Sequence, residues 1–149
     1  MKLEEAIKST RFKSEISKVT INVLYTGYWL RNSYSTILKE AGITLEQYNV
    51  MRILKGKHPQ PMCVKDIATR TLEKNSNVPR IVDRLVMKEL AIRTPSKEDK
   101  RETLVSLTHK GLDLLDKANE LTMSVTNGIS GLTDDDAAML NNLLEKMRS

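Results

Sequence analysis

Apolar residues along this 149-residue chain recur mostly at steps of three and four, a pattern that predicts helices. The first long stretch covers residues 14–41. Ile21, Leu24, Tyr25, Tyr28 and Trp29, then Ile37 and Leu38, share one face, and Gly42 can supply the left-handed residue that closes the helix. At about 1.5 Å per residue such a helix is roughly 40 Å long, more than a small domain covers alone. Part of it is therefore expected to meet another chain. Thr44 and Gln47 have the spacing of a capping box and Ile43 and Tyr48 that of a hydrophobic staple, so a second helix starts at Thr44. Leu45, Tyr48, Met51 and Leu54 form its apolar side. Gly56 ends it, and Pro59 and Pro61 prevent continuation.

Residues 62–64 are predicted to form a minimal strand, and residues 64–72 a short helix with Ile67, Ala68 and Leu72 inward. A polar turn follows, then a helix over 75–89 whose apolar positions Val78, Ile81, Val82, Leu85 and Val86 keep helical spacing. Residues 91–95 and 103–108 alternate as two strands, and six of the seven residues between them are charged, as in a solvated hairpin loop. Thr108 can cap a long helix carrying Leu114, Leu115, Ala118, Leu121, Val125 and Ile129, with Gly128 and Gly131 at its end. Thr133 can cap a last helix, with three aspartates on its positive end and Met139, Leu140, Leu143, Leu144 and Met147 along one face. Gly42, Gly56 and Gly111 are expected at helix boundaries.

This order predicts a mainly α chain with a small β-hairpin (α+β). A winged helix-turn-helix at 44–108 is flanked by dimerisation helices at 1–42 and 109–149, all within a single domain, 1–149. The expected dimer interface is Leu114, Ala118, Leu121, Val125, Leu140, Leu143 and Leu144.

Charge sharpens the picture. Lys and Arg outnumber Asp and Glu by 24 to 19, a formal +5. Residues 1–59 carry +5, residues 60–111 carry +4 and residues 112–149 carry −4, so the basic groups concentrate around the helix-turn-helix. A polyanionic partner is expected. Aromatic residues are only 4% of the chain, which argues against a base-stacking platform for single strands. One cysteine, Cys63, excludes an intrachain disulfide and a cysteine-based zinc site, and His58 and His109 have no metal-ligand spacing. No metal and no cofactor is expected. No apolar leader or spanning segment is evident, and a cytoplasmic location is expected. Neither a phosphate-binding glycine loop nor a catalytic constellation occurs, so an enzyme is the least favoured class.

The sharpest candidate chemistry lies on the helix over 75–89. Ser76, Asn77, Arg80, Asp83, Arg84, Met87 and Lys88 fall opposite its apolar stripe. Such a face can enter a major groove, where Asn can pair with adenine and Arg with guanine, although a merely solvated face has the same spacing. In the hairpin loop, Arg101 can reach a minor groove, with Asp99 supporting it through a carboxylate–guanidinium pair. Tyr25, Tyr28, Trp29 and Tyr48 are candidates for an aromatic ligand pocket; core packing is the favoured role for such a stripe. Cys63 is expected to be a buried, inert thiol.

Several segments together carry a family likeness. Val64-Lys65-Asp66-Ile67-Ala68 is followed by Asn75-Ser76-Asn77-Val78-Pro79-Arg80-Ile81-Val82-Asp83-Arg84-Leu85. Arg93, Asp99-Lys100-Arg101 and Leu107-Thr108-His109-Lys110-Gly111 come next in order, and Gln47-Tyr48-Asn49-Val50-Met51 precedes them. Over about residues 44–115 the chain resembles the multiple-antibiotic-resistance-regulator (MarR) family. The resemblance implies a homodimeric transcription regulator that binds double-stranded DNA at a pseudo-palindromic operator, its recognition helices roughly 34 Å apart. It implies a repressor released by a small, often aromatic, effector bound between the dimer region and the DNA-binding lobe. By position, Ser76, Asn77 and Arg80 would contact the major groove, Arg101 the minor groove, and Lys65, Lys97 and Lys100 phosphate. Two departures stand out. Glu89 occupies the turn after the recognition helix where the family usually has Gly, and Pro79 lies inside the recognition segment, so the helix start is expected nearer Ser76 or Asn77. The competing reading is a winged-helix protein-interaction module without specific DNA readout, which would lack the steep salt dependence of duplex binding.

Overall fold

The computed structural model describes residues 1–149 except Asn75, Lys100, Ile129 and Ser130. Its elements are α1 (Leu3–Ile7), α2 (Glu15–Leu38) with a 3-10 turn (Lys39–Ala41), α3 (Leu45–Lys55), β1 (Met62–Cys63), α4 (Val64–Arg70), α5 (Val78–Met87), β2 (Ala91–Pro95), β3 (Thr103–Leu107), α6 (His109–Asn127) and α7 (Asp134–Arg148). Helix α1 was not foreseen, because its five residues are too few for a periodic signal. It is held by buried Leu3 and by an ion pair from Glu4 to Lys18 of α2, 2.6 Å, which keeps the Glu4 carboxyl below the usual carboxylate range.

Local capping chemistry sets most helix starts. Ser14 Oγ accepts the Ser17 N–H and opens α2, which ends through the 3-10 turn into left-handed Gly42, φ 68°. The α3 box closes both ways: Gln47 N–H donates to Thr44 Oγ1 at 3.1 Å and Thr44 N–H to Gln47 Oε1 at 3.2 Å. Thr108 Oγ1 accepts from Gly111 N–H at 3.0 Å, and Thr133 accepts from Asp136 N–H. Cys63 is half-buried rather than fully buried, and its sulfur accepts the Asp66 N–H at the start of α4.

The sheet has three strands, not only a hairpin. The order is β1-β3-β2, antiparallel throughout, with Met62 opposite Val105 and Ala91 opposite Leu107. Strand β1 joins because Met62 is buried and the edge of β3 has unpaired backbone groups for it. The core gathers Leu38 of α2, Val50 and Met51 of α3, Ile67 of α4, Val78, Val82 and Leu85 of α5, Val105 of β3 and Leu115 of α6. Leu72 departs from expectation. Helix α4 stops at Arg70, and Leu72 is 81% exposed, because the chain turns away before a further inward position is reached.

The recognition helix starts beside Asn77, as the position of Pro79 predicts. Helix α5 begins at Val78, not Asn75; Asn77 Oδ1 caps it by accepting the Arg80 N–H at 3.2 Å. Pro79 falls in the first turn, where its missing N–H would have had no helical partner. At the other end Leu90 N–H donates to Leu85 C=O and Glu89 N–H to Val86 C=O, a Schellman closure with Glu89 in the left-handed region, φ 60°. The turn is thus built as glycine would build it. Outside partners hold it: Thr108 Oγ1 donates to Glu89 C=O at 2.7 Å, Thr108 N–H to Leu90 C=O at 3.1 Å, and Lys110 pairs with the Glu89 carboxylate at 2.9 Å. Lys110, through its hydrogen bond first and its charge second, holds the Glu89 carboxyl below the ordinary range. That contribution to stability is present near neutrality and lost as pH falls through the lowered value.

Two expected interface positions lie inside the chain's own core. Ala118 is 0% exposed and Val125 7%, because α6 packs along α2, so neither side chain is left for a partner. Leu114 and Leu121 are half-buried against the same core. Helix α7 buries no residue; Leu140 and Leu143 are exposed and Leu144 is half-buried. Ile129, expected on the α6 stripe, lies outside the described residues.

Gly111 lies in the first turn of α6, at the helix boundary as expected, and packing explains the residue. A Cβ there would sit 2.0 Å from the Leu90 carbonyl oxygen. Gly111→Ala is expected to cost about 1–3 kcal/mol. Urea denaturation checks this as a fall in midpoint with unchanged slope.

Candidate nucleic-acid interface

Helix α5 buries Val78, Val82 and Leu85 and turns Arg80, Asp83, Arg84 and Met87 outward. Asp83 does not stay free. Arg93 of β2 pairs with it at 2.5 Å and also donates to the Pro79 carbonyl at 3.4 Å, fastening the hairpin to the helix. Lys88 is also withdrawn: its ammonium donates to Gly42 C=O at 2.6 Å and to Gln47 Oε1 at 3.1 Å. The outward charge left on α5 is Arg80 and Arg84, neither in an ion pair among the described residues.

Ser76, Asn77, Arg80 and Arg84 share one groove of about 340 Å³, with Thr44, Glu46, Gln47, Glu73 and Ile81. Asn77 is placed differently from the sequence expectation. It precedes the helix, and its carbonyl oxygen is committed to the cap, leaving only its NH₂ to donate. Asn75 lies outside the described residues.

Short side chains tie together the described residues of the hairpin loop. Ser96, buried, accepts from the Glu98 and Asp99 N–H groups at 3.2 Å each, and its own N–H donates to Glu102 C=O. Asp99 Oδ1 accepts the Arg101 backbone N–H at 2.9 Å. Asp99 therefore supports the loop through the backbone; no Asp99–Arg101 ion pair occurs among the described residues. Lys97 and Arg101 are exposed at this loop, and Lys65 is exposed in the first turn of α4. Lys100 lies outside the described residues.

Three of the four candidate pocket aromatics come together. A cavity of about 560 Å³ between α2 and α6 is lined by Tyr25, Tyr28, Trp29, Asn32, Ser33, Thr36, Ile37, Ser124, Val125 and Gly128. Tyr48 is not among them. It is buried between α3 and α6, its hydroxyl satisfied by Asn119 Oδ1 at 2.8 Å and Thr122 Oγ1 at 3.1 Å, so it is a core residue. Among the described residues no cluster of His, Cys, Asp or Glu could hold a metal ion, and no helix is long and apolar enough to cross a membrane.

Arg93 was missed as a site residue. Its partner Asp83 lies on another element, and nothing local in the sequence joins them. The matching motif, in which Arg93 stood between the helix and the loop, was the only signal.

Comparison with known proteins agrees with this geometry. A model of the MarR family matches residues 43–103, from the link before α3 to the start of β3. Over 109 residues the chain is 30% identical to the uncharacterised HTH-type transcriptional regulator YkoM of Bacillus subtilis, covering 72% of this chain and 70% of that protein. A mutant MarR from E. coli complexed with operator DNA shares the fold, with a TM-score of 0.80 at 23% identity over 93% of this chain and 99% of that one. The organohalide sensing RdhR regulator in its 2,4-dichlorophenol bound form also shares it, with a TM-score of 0.80 at 19% identity over 91% and 80% of the two chains. By fold, by the ordered helix-turn-helix and hairpin, and by these likenesses, the chain belongs to the MarR family of helix-turn-helix transcriptional regulators.

Proposed function

We propose that this protein is a homodimeric, sequence-specific regulator of transcription that binds double-stranded DNA and acts as a repressor released by a small aromatic ligand. The observation that carries the DNA reading is the outward face of α5. Its one carboxylate is neutralised by Arg93, which leaves Arg80 and Arg84 unpaired among the described residues, with Lys97 and Arg101 exposed on the hairpin loop. In this reading Arg80 and Arg84 enter the major groove, Asn77 and Ser76 lie at its edge, Arg101 reaches the minor groove, and Lys65, Lys97 and Lys100 meet phosphate. Fold likeness to a regulator bound to operator DNA supports the same placement. Repression follows by occupancy, since a dimer spanning two grooves shuts polymerase out of the same stretch of duplex.

Dimerisation is supported by unpartnered apolar surface. Ile16 and Leu24 on α2 and Met139, Leu140 and Leu143 on α7 are all exposed in the single chain. Exposed apolar residues of this kind on two helices mark association surfaces. The cavity between α2 and α6 supports the ligand. Its size lies in the range that takes a small organic molecule, and its aromatic walls with a few hydroxyl and amide groups suit a phenol.

Three measurements test these parts. Arg80→Ala is expected to lose roughly 1–3 kcal/mol on a duplex selected from a random pool, with relaxed base preference. Equal loss on selected and random duplex contradicts a base-reading role. Leu140→Asp with Leu143→Asp is expected to give a monomer by light scattering that has lost tight binding to the selected duplex; a dimeric double variant excludes α7 from the interface. Trp29 is the only tryptophan and lines the cavity, so its fluorescence reports occupancy. Titration with halogenated phenols is expected to quench it and to release the duplex, whereas quenching without release contradicts the effector role.

A further inference from the structure

Helix α2 lies outside the helix-turn-helix, yet one of its side chains reaches into it. The guanidinium of Arg31 donates through Nη2 to Glu46 Oε1 at 2.5 Å, in the first turn of α3, and through Nη1 to Glu73 Oε1, on the turn before α5. One fork thus joins two carboxylates from separate elements. Both carboxylates line the groove that holds Ser76, Asn77, Arg80 and Arg84. Neither has another ion-pair partner among the described residues.

This placement is hard to explain as a stability device. Arg31, Glu46 and Glu73 are all partly exposed, and exposed ion pairs contribute little to folding. Its electrostatic effect on an incoming polyanion is different. Two bare carboxylates beside Arg80 and Arg84 would offset both arginines within a Debye length of about 8–10 Å and repel a phosphate chain laid along α5. The Arg31 cation cancels one of those two charges, and at the same time it ties the turn before α5 to the long helix α2.

We propose that Arg31 is a positioning residue for duplex binding: by pairing with Glu46 and Glu73 it keeps the groove beside the recognition helix open to phosphate. This rests on the DNA-binding reading above. Arg31 touches no base in it and acts only through the two carboxylates.

The test compares full-length wild type, Arg31→Ala, Glu73→Gln, and the triple variant Arg31→Ala, Glu46→Gln, Glu73→Gln. Each is titrated with a labelled duplex selected from a random pool and with a random duplex, across a range of salt. Arg31→Ala is expected to bind both duplexes on the order of tenfold more weakly at low salt, with the deficit shrinking as salt rises. The triple variant is expected to bind at least as tightly as wild type, because removing one cation and two carboxylates raises the local charge from −1 to 0. Glu73→Gln alone is expected to bind more tightly than wild type. The proposal is overturned if Arg31→Ala binds like wild type, or if the triple variant stays as weak as Arg31→Ala, which would assign Arg31 only to holding helices together. Should Arg31→Ala unfold, Glu73→Gln decides alone, and unchanged or weaker binding overturns the proposal. Absence of duplex binding by wild type at low salt overturns the DNA-binding reading itself and the proposal with it, a result separate from any difference between variants.

Discussion

The carbonyl of Leu90 is the joint on which the DNA-facing half of this protein depends. It ends the corner after the recognition helix, accepts the N–H of Thr108, and receives the first turn of α6 so closely that position 111 has no space for a Cβ. Three directions are set there at once: that of α5, that of the hairpin that starts at Ala91, and that of α6. Because α6 packs along α2, the corner also ties the winged half to the long helices. A left-handed non-glycine residue persists here because Thr108 and Lys110 hold it from outside, so the strain at Glu89 is met by contacts from α6 rather than by a change of turn type.

Charge on the outer surface is arranged with comparable economy. The recognition helix carries an acid on the face that meets DNA in the proposed reading, and the neighbouring groove carries two more. Each is taken by an arginine from elsewhere in the chain, Arg93 for Asp83 and Arg31 for Glu46 and Glu73. Compensation of this kind links the local electrostatics of the face to the placement of β2 and α2. The modest overall charge of +5 understates residues 1–111, which carry +9, because residues 112–149 carry −4.

Much of this was open to reading from the chain itself, and the division has a physical cause. Thr44 with Gln47, Thr108 and Thr133 announce helix starts because capping acts over three residues, and each cap is found where its spacing places it. Element order through the helix-turn-helix and hairpin was equally visible. What escaped depends on separation. Arg31 and Glu73 lie 42 residues apart, Asp83 and Arg93 on different elements, and Gly111 owes its identity to a carbonyl in another corner. Two local expectations gave way for related reasons. Asn77 was placed on the reading face, but its amide closes the helix start, and Ala118 and Val125 were assigned to a partner that α2 of the same chain replaces.

The way α5 is secured has an evolutionary consequence. Its inward residues, its cap at Asn77, its closure at Glu89 and its brace at Arg93 all lie off Arg80 and Arg84, which project outward without an ion pair among the described residues. Substitution at those two positions leaves no cavity and strips no buried group of a partner. Where Arg80 and Arg84 read bases, as proposed, descendants of this chain can thus drift toward new target sequences while the scaffold stays under separate, stricter selection.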